Sequence, residues 1–528
     1  MNPSHSSRRA PGRPLLASIA LASLFAAAVD AQARSVHGAR SPTSVEIVDP
    51  VPLDGSASLL QGTALSRSGD RLASGGRDVA GAAADGVTQL VIRVPGSQAG
   101  ERFTFTIDTQ GQDPQTCHLA TGNDCGLVFD PTLPPDDLYD LAEMPTVTVA
   151  AFVPKGQSSA LAIAAFRAPA DFVRFDLPNG DDTTQFQRHV VLDVQSDLRG
   201  ALAPVDLVIA RPPVELVHGN WSDPAGSFGA LAAPLWPPNQ QPDANSVFWI
   251  GTVDYSATMI KGIAYNAGLA LTQASDDIDR YRRLQGLAAT QFDGIGYSMG
   301  GLVVRQLPLV QSKRGYFNAQ NYARGQLHKL VAVDTPNLGS PFATNLDHTN
   351  IFCREGFRQA GDPVGQNIKD LEPGSPFLRA LNQATQALHA RATAVEGNAT
   401  PQQAQWTQDA FGRSFIQDVC NGLLPAGGFS QLFDNAPNDL IVAEDSQLGK
   451  GLVIGGGSLV GVVMPRVVHA VDTSVFIIGP SVLGHQATDY ATTLKIVDNP
   501  LQSAAATKLL VDLLDTAAGA SAWQPMMP

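Results

Sequence analysis

Hydrophobic and polar positions change their period once along this chain, near residue 210. From about Val45 to Val208, apolar and polar residues alternate in short runs: Thr88–Val94, Arg102–Ile107, Thr146–Val153, Ala160–Phe166 and Gln187–Val194. Clusters of Gly, Pro, Asp and Ser separate them. Alternation sends one face of each run into a core, so short strands with turns between them predict a β-sandwich.

Beyond the linker Arg211-Pro212-Pro213 the pattern alternates strand-like and helix-like segments, which predicts an α/β domain with a mainly parallel sheet and helices on both faces. Val214–Val217, Ser246–Ile250, Gln291–Ile295, Lys329–Val333, Arg391–Val395 and Ser474–Ile478 read as strands. Asp276–Ala289 reads as a helix, with Ile278, Tyr281, Leu284 and Ala288 on one face and the two aspartates in its first turn. Ser340-Pro341 and Ser375-Pro376 read as N-caps followed by proline at the first helical position. Residues 342–388 are therefore expected to be helical and to lie over the sheet's C-terminal edge as a lid. Ala504–Leu514 reads as a closing helix. The expected organisation is a β domain over 45–205 and an α/β domain over 206–528, although the runs at 187–194 and 205–209 fit either sheet.

Composition narrows the class. The 528 residues are 44% hydrophobic and 16% charged, with a formal charge of -14. Such a chain packs a core and is not globally disordered. Lacking a long basic run, it is not expected to bind nucleic acid. Arg8, Arg9 and Arg13 precede the apolar stretch Leu15–Val29, too short for a membrane span. Val29-Asp30-Ala31 offers small residues for cleavage near Ala31. The expectation is export after removal of residues 1–31, a polar lead-in over 32–44, and no transmembrane anchor. An even cysteine count in an exported chain predicts disulfides, and proximity favours Cys117–Cys125 and Cys353–Cys420. Their spacing matches no zinc pattern, and no metal or cofactor is expected. His118 and His189 read as surface or structural residues.

Candidate chemistry centres on Gly296-Tyr297-Ser298-Met299-Gly300-Gly301, a G-x-S-x-G stretch between a strand and the apparent helix start at Leu302. Flanking glycines permit the sharp turn that would expose the Ser298 hydroxyl. A serine needs a base, usually a histidine oriented by a carboxylate, and in this strand–turn–helix context the order is Ser, acid, His. After Ser298 come His328, His348, His389, His469 and His485. His485 follows the last expected strand and is favoured over His469. Asp439, in Asn438-Asp439-Leu440-Ile441-Val442, is favoured as acid over Asp334, which ends a strand; Asp434 and Asp445 trail. Backbone N–H groups of Met299 and Asn220 would hold an oxyanion.

Five segments in order then resemble secreted bacterial lipases and esterases of the α/β-hydrolase superfamily: Val217-His218-Gly219, Gly296–Leu302, Asp334-Thr335-Pro336-Asn337-Leu338-Gly339-Ser340-Pro341, Asp370–Ser375 and Asn438–Val442. The resemblance covers roughly 212–515 and implies a serine hydrolase acting on carboxylic esters. Tyr297 and Leu440 depart from the commoner histidine and glycine, and an insertion spans roughly 398–432. The resemblance implies a small-molecule or lipid-like ester as partner. A polymeric ester or an acyl acceptor is the alternative, and a non-catalytic binding protein on the same scaffold is the other class. Ala84–Ile92 resembles the start of a bacterial immunoglobulin-like repeat.

Overall fold

The computed structural model describes residues 45–53, 58–60, 72–108, 125–131, 145–172, 187–235, 248–311, 315–360, 363–384, 390–398, 420, 423–426, 428–450, 452, 461–465, 504–515 and 524–525. The expected strand Ser474–Ile478 lies outside them.

Two sheets form the N-terminal part. Their strands are β1 (Glu46–Asp49), β2 (Arg77–Asp78), β3 (Gly81–Ala83), β4 (Gln89–Ser97), β5 (Arg102–Ile107), β6 (Leu127–Phe129), β7 (Thr146–Ala150), β8 (Ala160–Arg167), β9 (Gln187–Ser196), β10 (Gly200–Ala201) and β11 (Val205–Ala210). One sheet runs β2-β1-β4-β8-β6. The other contains β3-β11-β9-β5-β7, with β10 beside β9. Alternation builds the core between them: Leu90, Ile92 and Val94 of β4 meet Phe103, Phe105, Leu192 and Leu207. β11 crosses the boundary expected at 205/206 and pairs with β9 and β3, so these residues belong to the N-terminal sheet.

The second part is a sheet of β12 (Val214–Val217), β13 (Ile250–Val253), β15 (Phe292–Tyr297), β16 (Leu327–Val333), β17 (Arg391–Asn398) and β18 (Gly461–Pro465), ordered β13-β12-β15-β16-β17-β18. Every pair along this path is parallel. Helices cover both faces. On one lie α2 (Ile263–Gln285) and α3 (Met299–Gln306); on the other lie α1 (Pro224–Leu235) and α10 (Ala504–Asp515). Between α3 and α10 come α4 (Pro341–His348), α5 (Ile351–Ala360), α6 (Gln366–Asp370), α7 (Pro376–Gln383), α8 (Gly428–Leu432) and α9 (Glu444–Gln447).

Several elements depart from expectation. α2 begins at Ile263, not Asp276, because Ile263, Ala267, Ala270, Leu271 and Ala274 extend the same buried stripe N-terminally. Asp276 and Asp277 therefore lie inside the helix, and burial pushes Asp277 up to about 6. Gly286, left-handed at φ 66°, ends α2, and Leu287–Ala288 then forms β14. The strand expected at Ser246–Ile250 runs from Ile250 to Val253. The described residues between 342 and 384 hold separate short helices; Ser340 and Ser375 cap two of them, accepting from Phe342 N and Leu378 N.

The two parts are joined by backbone and side chains. β14, from the α/β part, pairs in parallel with β3. The Asp85 carboxylate accepts from Thr290 N and Gln291 N, each at 3.2 Å. Arg282 reaches Asp49 at 2.9 Å with both side chains buried. At the foot of the parallel sheet, His328 bonds Asp293 and Ala170 O, each at 2.8 Å, and Lys329 pairs with Asp171 at 2.8 Å.

Candidate active site

Ser298 sits between β15 and α3, with φ 53° and ψ -124°. This left-handed backbone is strained for a residue with a side chain, by about 1–3 kcal/mol. Close packing enforces it. A Cβ on Gly296 would lie 2.5 Å from Gly301 Cα, one on Gly300 would lie 2.0 Å from Val217 O, and one on Gly301 would lie 2.1 Å from Thr335 Oγ1. Strand, turn and helix thus meet where only hydrogen fits. Ser298 N donates to Val333 O at 2.8 Å, fixing the turn to the neighbouring strand. The helix starts at Met299, three residues earlier than the apolar run from Leu302 indicates, because the two glycines are its first turn. As the first helical residue, Met299 has an N–H without an intrahelical acceptor.

The loop after β12 lies against this turn. A Cβ on Gly219 would stand 3.0 Å from Ser298 Cβ, so glycine lets the loop pack tightly against the turn. Asn220 follows, and its Oδ1 accepts from Asn367 Nδ2 at 2.7 Å. Trp221 is left-handed at φ 55°, its Nε1 donates to Pro363 O at 3.1 Å, and its ring meets Phe357 of α5 at 5.4 Å. Elements of the expected lid therefore brace this loop. Cys353 of α5 is disulfide-bonded to Cys420. Cys125 is also in a disulfide, while Cys117 lies outside the described residues.

Both acid candidates are fully buried. Asp334 follows β16 directly with φ 48°; Tyr297 and Val333 are register partners, so Asp334 and Ser298 leave neighbouring strands at the same level. Asp439 is in a hairpin-like loop closed by the bridge Asn438↔Ala443. Its Oδ1 accepts from Ile441 N at 2.9 Å and Val442 N at 2.6 Å. The Asp439 loop is clamped to the segment after Asp334. Asn337 N donates to Ser446 O at 3.0 Å, Asn337 Nδ2 to Gln447 O at 2.8 Å, and Leu338 N to Ser446 Oγ at 3.0 Å; Ser340 Oγ also bonds Ile441 O. Arg305 of α3, buried and with its pKa lowered to about 10 by that burial, donates to Asn337 Oδ1 at 2.8 Å. The helix behind Ser298 and the Asp439 loop thus share Asn337 as a hydrogen-bonding partner.

His485, the expected base, lies outside the described residues, as do His389 and His469. Of the other histidines after Ser298, His328 is committed to the foot of the sheet and His348 is exposed on α4, with Nδ1 bonded to Thr344 O at 2.8 Å. Asp347, His348 and Glu372 each bring a ligand-type atom within 4.8 Å of the others, but Asp347 also pairs with Arg354 at 3.5 Å.

Sequence pattern missed several groups here. His218, which precedes Ser298 and so falls outside the expected Ser, acid, His order, is buried and stacked on Tyr255 at 4.0 Å. Arg305, Asn337 and Ser446 carry no spacing signal, since their partners are distant in the chain. Glu215 lies within the expected strand Val214–Val217. It is buried beside Gly251, no described residue hydrogen-bonds its carboxyl oxygens, and burial followed by the Asp277 charge raises its pKa well above the ordinary carboxylate value.

A parallel sheet covered on both faces, with a serine on a strained turn between strand and helix, is an α/β-hydrolase-like arrangement. No family model matches the chain, and no curated protein matches it. Among solved structures, the mature lipase BlEst2 from Bacillus licheniformis is similar at 13% identity and TM-score 0.31, over 48% of this chain and 83% of that one. Phospholipase PlaB from Legionella pneumophila is similar at 17% identity and TM-score 0.32, over 57% of this chain; this chain spans only 63% of the phospholipase. Lipase 1 from Pelosinus fermentans is similar at 13% identity and TM-score 0.30, over 56% of this chain and 98% of that one. Likeness at this level is distant, and the chemistry rests on the residues themselves. Among the described residues no helix is long and apolar enough to cross a membrane.

Proposed function

We propose that this protein is a serine hydrolase of carboxylic esters, exported after cleavage near Ala31. The observation that carries the reading is Ser298: a serine held at φ 53° between a parallel strand and a helix, with Gly219 packed against it. That strain has no structural purpose that an unstrained glycine would not serve better. In this reading Ser298 Oγ attacks the ester carbonyl and His485 takes its proton. The tetrahedral oxyanion is held by the Met299 and Asn220 N–H groups. Collapse breaks the acyl–oxygen bond, and His485 returns the proton to the departing alkoxide, which leaves as the alcohol. Water, deprotonated by the same histidine, then releases the carboxylic acid and frees Ser298. No cofactor enters.

Asp439 orients His485 in this scheme. Two N–H groups of its own loop already fix its carboxylate, as an orienting acid requires, whereas Asp334 is nearer to Ser298 in register. Asp439→Asn and Asp334→Asn separate the two: the true acid loses about 10⁴-fold in kcat. The exposed Ile351 and Phe352 at the start of α5 favour a lipid-like ester. Fluorophosphonate labelling with peptide mapping tests the whole reading. Label on Ser298, absent in Ser298→Ala and slowed in His485→Ala, is the expected result. A folded protein that takes no label and turns over no ester from acetate to long-chain acyl groups sinks it, and leaves the non-catalytic binding protein.

A further inference from the structure

His218 directly follows β12 and is fully buried, yet both its ring nitrogens have defined partners. Tyr255 N, just after β13, points at Nε2 at 3.1 Å. A backbone N–H can only donate, so Nε2 must be the unprotonated acceptor. The ring proton is then on Nδ1, which lies 2.9 Å from Gly219 O and donates to it. Tyr255 closes the arrangement: its ring stacks on the imidazole and its hydroxyl donates to His218 O. The Asp254 carboxylate lies 3.6 Å from Nε2 but is half exposed. Burial lowers the His218 pKa against the pull of Asp254 and Asp223, which agrees with a neutral ring.

The consequence falls on the next peptide. Gly219 C=O and Asn220 N–H belong to one peptide unit, and the described chain has no cis bonds. In a trans peptide these two groups point to opposite sides. Holding Gly219 O on the imidazole therefore turns the Asn220 N–H away from it, while Gly219 itself stays against Ser298. We infer that His218 is a positioning residue, which as the Nδ1–H tautomer sets the Gly219–Asn220 peptide plane and so aims the Asn220 N–H at the oxyanion. This rests on the hydrolase reading above. His218 touches no reacting atom and does not act as base, since both nitrogens are committed.

The side-chain amide of Asn can supply a donor at the Nδ1 position, whereas Gln extends to the Nε2 position. Full-length wild-type protein, His218→Asn, His218→Gln and His218→Ala are compared with a p-nitrophenyl butyrate assay, thermal unfolding and ¹⁵N-histidine spectra. His218→Gln and His218→Ala are expected to lower kcat by about 100-fold with KM within about twofold, the usual cost of a lost oxyanion donor. His218→Asn should recover at least tenfold of that loss, although its Tm falls as far as that of His218→Gln. Equal losses in Asn and Gln variants, or losses that follow Tm, overturn the inference. A wild-type protein inert to esters overturns the hydrolase reading. The tautomer is then read directly: a proton on Nδ1 upholds the placement of the peptide, and a proton on Nε2 overturns it.

Discussion

The two ends of the parallel sheet are built on opposite principles. At the C-terminal end, Ser298 and Asp334 have left-handed backbone, and glycines let three segments approach closer than any side chain allows. At the N-terminal end, the groups satisfy one another: His328 with Asp293 and Ala170 O, Lys329 with Asp171, Asp85 with Thr290 and Gln291. Partners at that end come from both parts of the chain. Strain is thus kept at one end of the strands and relieved at the other, where the N-terminal sheets act as a foundation. The N-terminal part shares a sheet with β14 and buries Asp49 against Arg282 of α2.

Substitutions at the two ends should therefore separate activity from stability. Ser298→Ala should reduce ester turnover by about 10⁴-fold or more and leave the unfolding midpoint nearly unchanged; an active Ser298→Ala protein would end the proposal. At the other end, Asp293→Ala leaves buried His328 without its carboxylate and should cost about 3–5 kcal/mol. Activity per folded molecule should hold, as seen by titrating active sites before the assay. Gly300→Ala places a methyl against Val217 O and should cost about 1–3 kcal/mol or more, together with turnover. If it lost only stability, the turn would not govern the site.

The foot also predicts a pH dependence. Burial alone would lower the His328 pKa, but the Asp293 charge and hydrogen bond outweigh it, with Asp171 assisting and Lys329 opposing, so the pKa stands above its ordinary value. Both ring nitrogens face acceptors, which only the imidazolium satisfies fully. A raised folded pKa means stability is fully present below about 6.5 and is lost as pH rises through the folded value. Urea midpoints should decline as pH rises above about 6.5 towards the raised folded value, and His328→Ala should flatten that decline. The smallest effect tests strain directly. Ser298→Gly should raise stability by about 1 kcal/mol while abolishing turnover, since glycine tolerates φ 53°. Unchanged or lower stability would show that the turn is not strained.

Legibility followed the range of the interactions. The elbow is plain in the chain because its serine and glycines all lie within Gly296–Gly301, and the caps at Ser340 and Ser375 are plain because a cap acts over three residues. The N-terminal half of α2 is not legible in the pattern because it carries small alanines, whose burial shows only when the sheet is beneath them. Leu287–Ala288 continues the helical pattern in sequence but forms a strand, since its partner β3 lies about two hundred residues earlier.

By itself the chain determined the two textures, the strand–turn–helix at Ser298 and the short list of acids and bases that could serve it. These rest on local sterics and on the periods of strand and helix, which a sequence writes directly. Only the tertiary structure decided that β11 closes the N-terminal sheet, that Asn337 ties Arg305 to the Asp439 loop, and that His218 faces Tyr255 N on one side and Gly219 O on the other. Those choices depend on which distant groups arrive within hydrogen-bond reach. Burial favours each of them, because a polar group taken out of water without a partner costs free energy.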